Sequence, residues 1–260
     1  MTTAETLAPL ASPVTESADF AESAHDAEAR TRKDLAALYR LIAHFKMTDL
    51  VDTHISARIP GTPDHFLINR YGVLFHEMRP EDLVKIDPTG HAVDRADASK
   101  RVNAAGFTIH SAVHMARHDL DCVIHTHTAD GIAVSCQQEG LLPISQHALK
   151  FYGHLGYHDY EGIALDLEER ERLVASLGKH RVMILRNHGL LAAGRTIAEA
   201  FLNIYFLERA CQAQVKALSG GRPLNLPPVA VCERTAAQFN REDNLSHSQM
   251  AWESALRLLD

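Results

Sequence analysis

The chain has 260 residues, with 46% apolar and 23% charged side chains, which is the composition of a globular protein with one substantial core. Its 33 acidic and 26 basic residues give a net charge of −7, and the absence of a basic run argues against nucleic-acid binding. We expect no membrane partner, because no stretch approaches the roughly 20 apolar residues of a membrane span. With no secretory leader in the first 19 residues and no CxxC pair among four cysteines, we expect a cytoplasmic protein with reduced thiols.

The first half of the chain predicts a tail, a helix and three short strands. Residues 1–27 are poor in aromatic side chains, show no hydrophobic periodicity and are expected to be disordered. Apolar residues at helical spacing predict a helix over residues 27–46. Each strand ends at a turn sequence, and such a meander favours antiparallel pairing. The predicted strands cover residues 54–59, 65–68 and 83–86.

In the second half of the chain, helices alternate with two apolar strands that both lead to histidines. Thr196 and Glu199 have the spacing of a capping box, which predicts the start of a helix that runs to residue 218. Residues 141–162 lack periodicity and predict a loop. The strands cover residues 121–128 and 182–185, and the remaining helices cover residues 104–117, 129–139 and 167–177.

These elements predict one domain, residues 28–218, between two terminal segments. The N-terminal segment is the tail of residues 1–27. The C-terminal segment, residues 219–260, contains a predicted amphipathic helix that includes Trp252. We expect this helix to pack on the domain or on a neighbouring subunit.

Three histidines near the ends of the apolar strands form a pattern typical of a metal site. A strand directs residues i and i+2 to the same face, so His125 and His127 would point to one spot. His188, at a tight turn beside Gly189, would complete a three-histidine face and leave an open position for water or substrate. The alternative is that His125 and His127 are structural, each hydrogen-bonded to the backbone.

Three sequence blocks, in this order and at this spacing, resemble the class II aldolase/adducin family. They are residues 103–110, 123–128 and 185–191, and the similarity runs from about residue 32 to about residue 218. The resemblance implies an α/β fold, a three-layer α/β/α sandwich with a mostly antiparallel central sheet, assembled as a homotetramer. It also implies a divalent metal, usually zinc with manganese or iron as alternatives, on His125, His127 and His188. Adducins share the fold without the metal centre.

The largest departure from the family is Gly106. In the sugar-phosphate aldolases of the family, an acidic base stands one helical turn before the position of His110. Glycine cannot transfer a proton, and it would leave extra room beside the metal. We interpret His110 as a residue that contacts the substrate or supports the site, and not as a metal ligand.

The sequences that bind phosphate in the sugar-phosphate enzymes are also altered. Residues 53–56 read Thr-His-Ile-Ser in place of Gly-Asn-Val/Ile-Ser, and residues 69–72 read Asn-Arg-Tyr-Gly in place of Thr-Pro-Thr-Gly. These changes indicate a different substrate tail, for which a carboxylate is a candidate. The alternative for residues 70 and 71 is an ordinary surface turn. The predicted substrate-binding residues are His110, His54, Ser56, Asn69, Gly72 and Gly106.

The segment of residues 146–162 is dense in titratable side chains, and loops on a rigid scaffold often carry function. Relatives in the family place an acid/base tyrosine or carboxylic acid in this region. The predicted catalytic residues are Glu161, Tyr157 and His158, with Glu161 as the first candidate to replace the missing base. The alternative is an ordered, hydrogen-bonded loop at a subunit interface.

The resemblance and its departures make a metal-dependent lyase the main hypothesis. A small oxygenated carbonyl compound would be cleaved through a metal-stabilised enolate. Decarboxylation suits the glycine at position 106, since carbon dioxide leaves without a base, whereas an aldolase reaction needs one. Two alternatives stay open: a non-heme iron oxygenase on the same fold, and an adducin-like interaction scaffold without catalysis.

Overall fold

The computed structural model describes residues 23–164, 166–241 and 244–260, which contain seven strands in one sheet and eight α-helices. None of these helices is long and apolar enough to cross a membrane. The strands are β1 (His54–Ile59), β2 (Thr62–Asn69), β3 (Leu83–Ile86), β4 (Cys122–Thr126), β5 (Leu155–His158), β6 (Val182–Leu185) and β7 (Gly189–Gly194). The helices are α1 (Ala24–His44), α2 (Ala104–Ala116), α3 (Ala129–Ser135), α4 (Gln146–Leu149), α5 (Glu169–Leu177), α6 (Ile197–Ser219), α7 (Val229–Phe239) and α8 (Asn244–Leu256).

The sheet has the order β3-β2-β1-β4-β7-β6-β5, and every neighbouring pair is antiparallel except β5 and β6. One face packs against α1, α6 and α8 in a core that contains Leu38, Ile124 and Ile204. The other face packs against α2 and α5 in a core that contains Ile109 and Val123. Helices therefore cover both faces of the sheet, which confirms the predicted three-layer sandwich.

The two-residue repeat of a strand decides which face carries the histidines. On β4, Ile124 and Val123 lie in the cores on opposite faces, and His125 shares the face of Val123. Strand β1 pairs with β4 so that His54 lies opposite His125 and Ser56 lies opposite Val123. Helix α2 therefore covers a face of the sheet that carries polar side chains at its centre.

A single buried tyrosine fixes β1 to α1 and to β2. The Tyr39 hydroxyl accepts hydrogen bonds from the backbone amides of Ile55 at 2.7 Å and Asn69 at 3.2 Å, and it lies 2.9 Å from Asn69 Oδ1. Ile55 stands between His54 and Ser56 in β1. The bond from α1 therefore holds the backbone from which these two polar side chains project.

The C-terminal helix α8 packs on α6 of the same chain. Trp252 is 4% exposed, and its ring centroid lies 5.8 Å from that of Phe201 on α6. Ala255, one turn further along α8, is also buried in the core beneath α1 and α6. The helix thus contributes to the main hydrophobic core of the described chain.

The structure differs from the predicted elements in four places. Strand β7 (Gly189–Gly194) was not predicted from the sequence. Residues 141–162, predicted as a loop, contain α4 and β5, and the C-terminal tail contains α7 and α8 where one helix was predicted. Strand β5 is defined by its neighbours: it pairs in parallel with β6, and a Cβ on Gly156 would lie 2.5 Å from the Ser176 carbonyl oxygen. Helix α1 begins at Ala24, inside the predicted disordered tail, and residues 1–22 of that tail lie outside the described residues.

Replacing Tyr39 by phenylalanine should destabilise the protein. The change leaves the buried Ile55 amide without its acceptor, and an unsatisfied buried donor costs about 1–3 kcal/mol. Urea unfolding followed by circular dichroism measures the loss. Tyr71→Phe is the control, because Tyr71 is 41% exposed and its hydroxyl makes only a 3.3 Å bond to Asp52. Equal midpoints for the two variants would contradict the prediction.

Candidate metal centre

One strand and one hairpin bring three histidines together. His125 lies in β4 and His127 lies one residue beyond its end, on the same side of the chain. His188 lies in the turn of the β6–β7 hairpin, in which Leu185 pairs with Gly189. Asn187 takes up the tight reversal with a φ of 55°, a conformation that asparagine tolerates better than most residues.

The three side chains converge through their Nε2 atoms. His127 Nε2 lies 2.8 Å from His125 Nε2 and 3.0 Å from His188 Nε2. The three ligand atoms all lie within 4.8 Å of one another, which is a spacing that could hold one metal ion. The predicted same-face arrangement of His125, His127 and His188 is therefore present in the structure.

The other ring nitrogens of the pair on β4 are held by hydrogen-bond acceptors. His125 Nδ1 lies 2.9 Å from the Leu190 carbonyl oxygen, and His127 Nδ1 lies 3.0 Å from Asp49 Oδ2. Each acceptor favours a proton on Nδ1 and so leaves the Nε2 lone pair aimed at the centre of the cluster. Converging lone pairs repel one another without a cation between them, so the cluster fits a bound divalent metal.

Burial keeps these imidazoles in the uncharged form that metals bind. The pKa of His125 is well below its usual value because of burial first, and then because of the neighbouring bases His54, His188 and His127. Burial and the proximity of His127 lower the pKa of His188 to about 4. At neutral pH protons therefore do not compete with a metal for either histidine.

Glycine at position 189 is required by the close packing of the hairpin against β4. A Cβ there would clash with the backbone carbonyl oxygen of Thr126 and would lie 3.2 Å from His127 Cδ2. A larger residue would therefore push the hairpin, and His188 with it, away from His127. This explains the His-Gly pair that the sequence shows at the end of β6.

The histidines line a cleft of about 450 Å³ that is open to solvent. Asp49 and Asp52 line it, and so do apolar side chains such as Ile109 and Ile163. Tyr160 also lines the cleft, although it was not among the predicted catalytic residues. Its side chain is 53% exposed, and its ring centroid lies 6.1 Å from that of His188. Its position in residues 146–162, a segment rich in titratable side chains, was the sequence feature that could have identified it.

Behind the cleft, four buried side chains form a continuous hydrogen-bonded chain. His54 Nδ1 lies 2.8 Å from His110 Nε2, and His110 Nδ1 lies 2.5 Å from Ser56 Oγ. Ser56 Oγ also lies 2.7 Å from His114 Nε2. Burial, the largest cause in each case, holds the pKa of all three histidines below its usual value, to about 3 for His114. We call this set, His54–His110–Ser56–His114, the histidine chain.

The extra room expected at Gly106 is absent. A Cβ built on Gly106 would lie 2.5 Å from His54 Cδ2, because the His54 ring fills the space beside the helix. His54 also lines the cleft, and its ring centroid is 5.1 Å from that of His125. The expectation of free space was wrong because it considered α2 alone and not the side chain projecting from the neighbouring strand.

The remaining predicted substrate-binding residues do not reach the cleft. Ser56 and His110 are fully buried in the histidine chain, and Asn69 is 2% exposed and contacts Tyr39. Gly72 lies in a separate surface turn with a φ of 94°. Of the predicted set, His54 alone lines the cleft in the described part of the chain.

None of the three predicted catalytic residues lines the cleft within the described residues. The Glu161 carboxylate forms a bidentate ion pair with Arg172 at 2.6–2.9 Å, which lowers the pKa of Glu161. The Tyr157 hydroxyl accepts a hydrogen bond from the Leu141 amide at 3.0 Å, and its pKa is raised by burial. The buried His158 ring contacts Ser176 Oγ at 3.0 Å and Glu169 Oε1 at 3.4 Å.

The sequence of the chain is similar to those of class II aldolases and adducins. A family model described as "Class II Aldolase and Adducin N-terminal domain" matches residues 33–215. A "Putative aldolase class 2 protein" of Caulobacter vibrioides is 51% identical over 236 residues, which cover 90% of this chain and 91% of that protein. Alpha-adducin of Rattus norvegicus is 46% identical over 197 residues, which cover 75% of this chain and 27% of the adducin.

Two solved structures agree with the fold. An aldolase II superfamily protein from Pseudomonas syringae superposes with a TM-score of 0.84 and 50% identity, covering 90% of this chain and 93% of that one. An L-fuculose 1-phosphate aldolase from Glaciozyma antarctica PI12 superposes with a TM-score of 0.80 and 25% identity, covering 95% of this chain and 93% of that one. The sequence and the structure therefore point to the same group of proteins.

Replacing His188 by alanine should abolish stoichiometric metal binding, because it removes one of three converging nitrogen ligands. Elemental analysis of protein purified without a metal-affinity step measures the metal per chain. His76→Ala is the control, since His76 is exposed and outside the cluster. A His188→Ala protein that stays fully loaded would contradict the assignment.

Replacing Asp49 by asparagine should weaken metal binding without removing a ligand. Asp49 orients His127 through Nδ1, and loss of such an orienting carboxylate typically costs about 10–100-fold in metal affinity. Competition with a chelator measures the affinity. Asp52→Asn changes the same charge in the same cleft without touching a histidine, so it should bind metal within a few-fold of the unmodified protein. Equal losses in both variants would indicate a general charge effect.

Proposed function

The chain belongs to the class II aldolase and adducin family, and we propose that it is a metal-dependent carbon–carbon lyase acting on a small oxygenated carbonyl compound. The observation that carries the proposal is the convergence of three Nε2 atoms on the wall of an open cleft. Three protein ligands with solvent access leave room for substrate oxygens, as catalytic metal sites require. A buried structural cluster would have no use for that access.

His125, His127 and His188 are the residues that would hold the metal, with zinc as the first candidate and manganese or iron as alternatives. Bound there, a divalent cation would supply a Lewis acid that stabilises the negative charge of an enolate. The hydrogen bonds at His125 Nδ1 and His127 Nδ1 keep both rings fixed in the required orientation.

The charges of the cleft favour an uncharged substrate. Asp49 and Asp52 line it, whereas no lysine or arginine does so within the described residues. Arg70, in the altered sequence of residues 69–72, does not line the cleft and is 3.6 Å from Asp82. Away from the metal ligands, a phosphate or carboxylate tail would therefore meet carboxylates and no cationic side chain of the described residues. We propose a neutral hydroxy-ketone or hydroxy-aldehyde, and hence an aldol-type cleavage in preference to decarboxylation.

Aldol-type cleavage needs a base, and we assign that role to His54 instead of Glu161. The Glu161 carboxylate is held by Arg172 and does not line the cleft. His54 lines the cleft, and no hydrogen bond among the described residues engages its Nε2. A lone pair at this nitrogen could accept the hydroxyl proton of the substrate in cleavage, or, in the reverse direction, the proton on the carbon next to the carbonyl as the enolate forms.

The direction in which the hydrogen bonds of the histidine chain are donated decides whether His54 Nε2 carries that lone pair. We propose that the ring proton of His114 lies on Nδ1, the side away from Ser56; this buried atom has no hydrogen-bond partner among the described residues. With that proton in place, Ser56 donates to His114 Nε2 and His110 donates to Ser56. His54 then donates from Nδ1 to His110 and keeps Nε2 free.

An adducin-like scaffold is the second candidate function. Its support is the 46% identity to alpha-adducin of Rattus norvegicus, which exceeds the 25% identity to the solved fuculose phosphate aldolase. The chain spans about a quarter of the adducin's length, so any shared interaction would concern the common domain. A scaffold predicts no bound metal, whereas the lyase requires one.

We also propose a homotetramer in the cytoplasm, as the resemblance and the composition predict. Both stay predictions. Sedimentation equilibrium checks the first, and a monomer at micromolar concentration would contradict it.

The lyase proposal predicts proton exchange and cleavage by metal-loaded protein. In deuterated water, NMR should show deuterium entering the carbon next to the carbonyl of dihydroxyacetone, and less exchange with its phosphate monoester. His188→Ala should be inactive. Protein that purifies without metal and gains no exchange activity when loaded with zinc or manganese would instead support the scaffold. Bound iron with oxygen consumption would support the oxygenase.

The assignment of the base predicts a contrast between two variants. His54→Gln should lower the exchange rate about 10²–10⁴-fold, the usual contribution of a general base, with metal content unchanged. Glu161→Gln should stay within a few-fold of the unmodified enzyme, because that carboxylate pairs with Arg172 outside the cleft. If Glu161→Gln lowers the exchange rate more than His54→Gln does, the base is Glu161 and not His54.

A further inference from the structure

A second cavity, of about 250 Å³, lies at the opposite end of β6 from the histidine cluster. Val182, the first residue of β6, lines this cavity, whereas His188 follows the end of the strand. The two sites share no lining residue among those described. The walls come from the segments around α4, β6, α6, α7 and α8, and we call this space the basic cavity.

Lys150 is a half-buried cation of the basic cavity. Its Nζ lies 5.4 Å from the ring centroid of Phe206, 5.8 Å from that of Phe151 and 5.9 Å from that of Phe239. No carboxylate of the described residues lies within ion-pair distance of this amine. Ring faces offset only part of the cost of removing an ammonium group from water.

The one described carboxylate in the wall is already engaged. Glu199 accepts from Arg181 at 3.0 Å and from the Arg195 guanidinium at 2.9 and 3.1 Å, and it also accepts from the Arg195 amide at 2.7 Å. A single negative charge therefore faces two guanidinium groups. Its direct ion pairs are with Arg181 and Arg195, and none among the described residues is with Lys150 or Lys179, both of which also line the cavity.

The pKa values of two basic groups in the wall are lowered. Burial is the largest cause of the pKa of about 8 at Lys150, whereas Glu199 raises this pKa and Arg181 lowers it by smaller amounts. Burial also lowers the pKa of His180, and nearby bases including Lys179 add to the effect. The Nδ1 atom of His180 is buried and has no hydrogen-bond partner among the described residues.

We propose that the basic cavity binds a small organic anion, a carboxylate or a phosphate monoester on an apolar body. The anionic oxygens would pair with Lys150 and with the cationic side of the wall, which includes Lys179. The apolar body would lie against Phe206 and Leu202 on α6. Such a ligand provides the counter-charge that the described wall lacks. This inference does not depend on the proposed lyase activity.

Isothermal titration calorimetry with benzoate and with phenyl phosphate tests the proposal on the full chain. We expect at least one of these anions to bind, and their relative affinities identify the preferred head group. Benzamide, which has the same apolar body without the charge, should bind at least about tenfold more weakly than benzoate or than the phosphate, because charge-assisted hydrogen bonds are the stronger ones.

Variants locate the site. Lys150→Met keeps an unbranched apolar stem but removes the charge, and it should weaken anion binding about tenfold or more. Lys179→Met, at an exposed position in the same wall, should weaken it severalfold and carries little risk of misfolding. Lys216→Met is the matched control, since Lys216 is exposed on α6 and outside the cavity. Circular dichroism melting curves confirm that each variant is folded.

Two outcomes would overturn the proposal. One is the absence of binding of both anions to the unmodified protein at millimolar concentration. The other is equal binding by the Lys150→Met, Lys179→Met and Lys216→Met proteins. His188→Ala should bind the anions as the unmodified protein does, so a failure of the metal centre and a failure of the basic cavity are separately visible.

Discussion

The antiparallel register of β1, β4 and β7 is the constraint on which the site depends. It places His54 opposite His125, and it places Leu191 of β7 on the other side of His125. The backbone hydrogen bonds that fix these pairs also fix which face each side chain occupies, since a slip of one residue would turn every side chain to the other face. The metal cluster, the cleft and the histidine chain all follow from this one alignment.

Burial then restricts the histidines to one charge state. Several imidazoles at the centre of the sheet cannot all be protonated away from water, and burial is the largest cause of the lowered pKa of His54, His110 and His125. Each buried ring still needs hydrogen-bond partners. Ser56 serves two rings because a hydroxyl both donates and accepts, and the Leu190 carbonyl serves His125. The hydrogen bonds that stabilise the uncharged rings thus also set which nitrogen faces the cleft.

Local sequence signals predicted those parts of the structure that local geometry determines. The spacing of His125 and His127 needs only a strand, and Thr196 caps α6 as predicted, with its hydroxyl accepting from the Glu199 amide at 3.1 Å. Contacts between distant segments were not visible in the same way. The His54 ring against Gly106 joins β1 to α2, and nothing in either segment alone indicates the contact.

Because contacts between distant segments are not visible in the sequence, Glu161 was predicted as the base without knowledge of its partner. The titratable side chains of its segment were visible in the sequence, but their partners were not, because Arg172 lies on a different element, α5. Strand β5 was missed for a related reason: its four residues gain their extended conformation from pairing with β6 and not from a periodic pattern. In both cases the partners are supplied by the tertiary fold.

The two ends of β6 carry opposite charge, and this separation supports the division of roles between the two sites. Asp49 and Asp52 line the cleft over the histidines, whereas Lys150 and Lys179 line the basic cavity. Carboxylates beside the cluster attract a metal cation and repel anionic substrates, while surplus cations at the other end attract anions. A charged organic acid and an uncharged hydroxy-carbonyl compound would therefore be sorted to different ends of one sheet. This separation requires no conformational change, because side chains at the two ends of one strand create both electrostatic potentials.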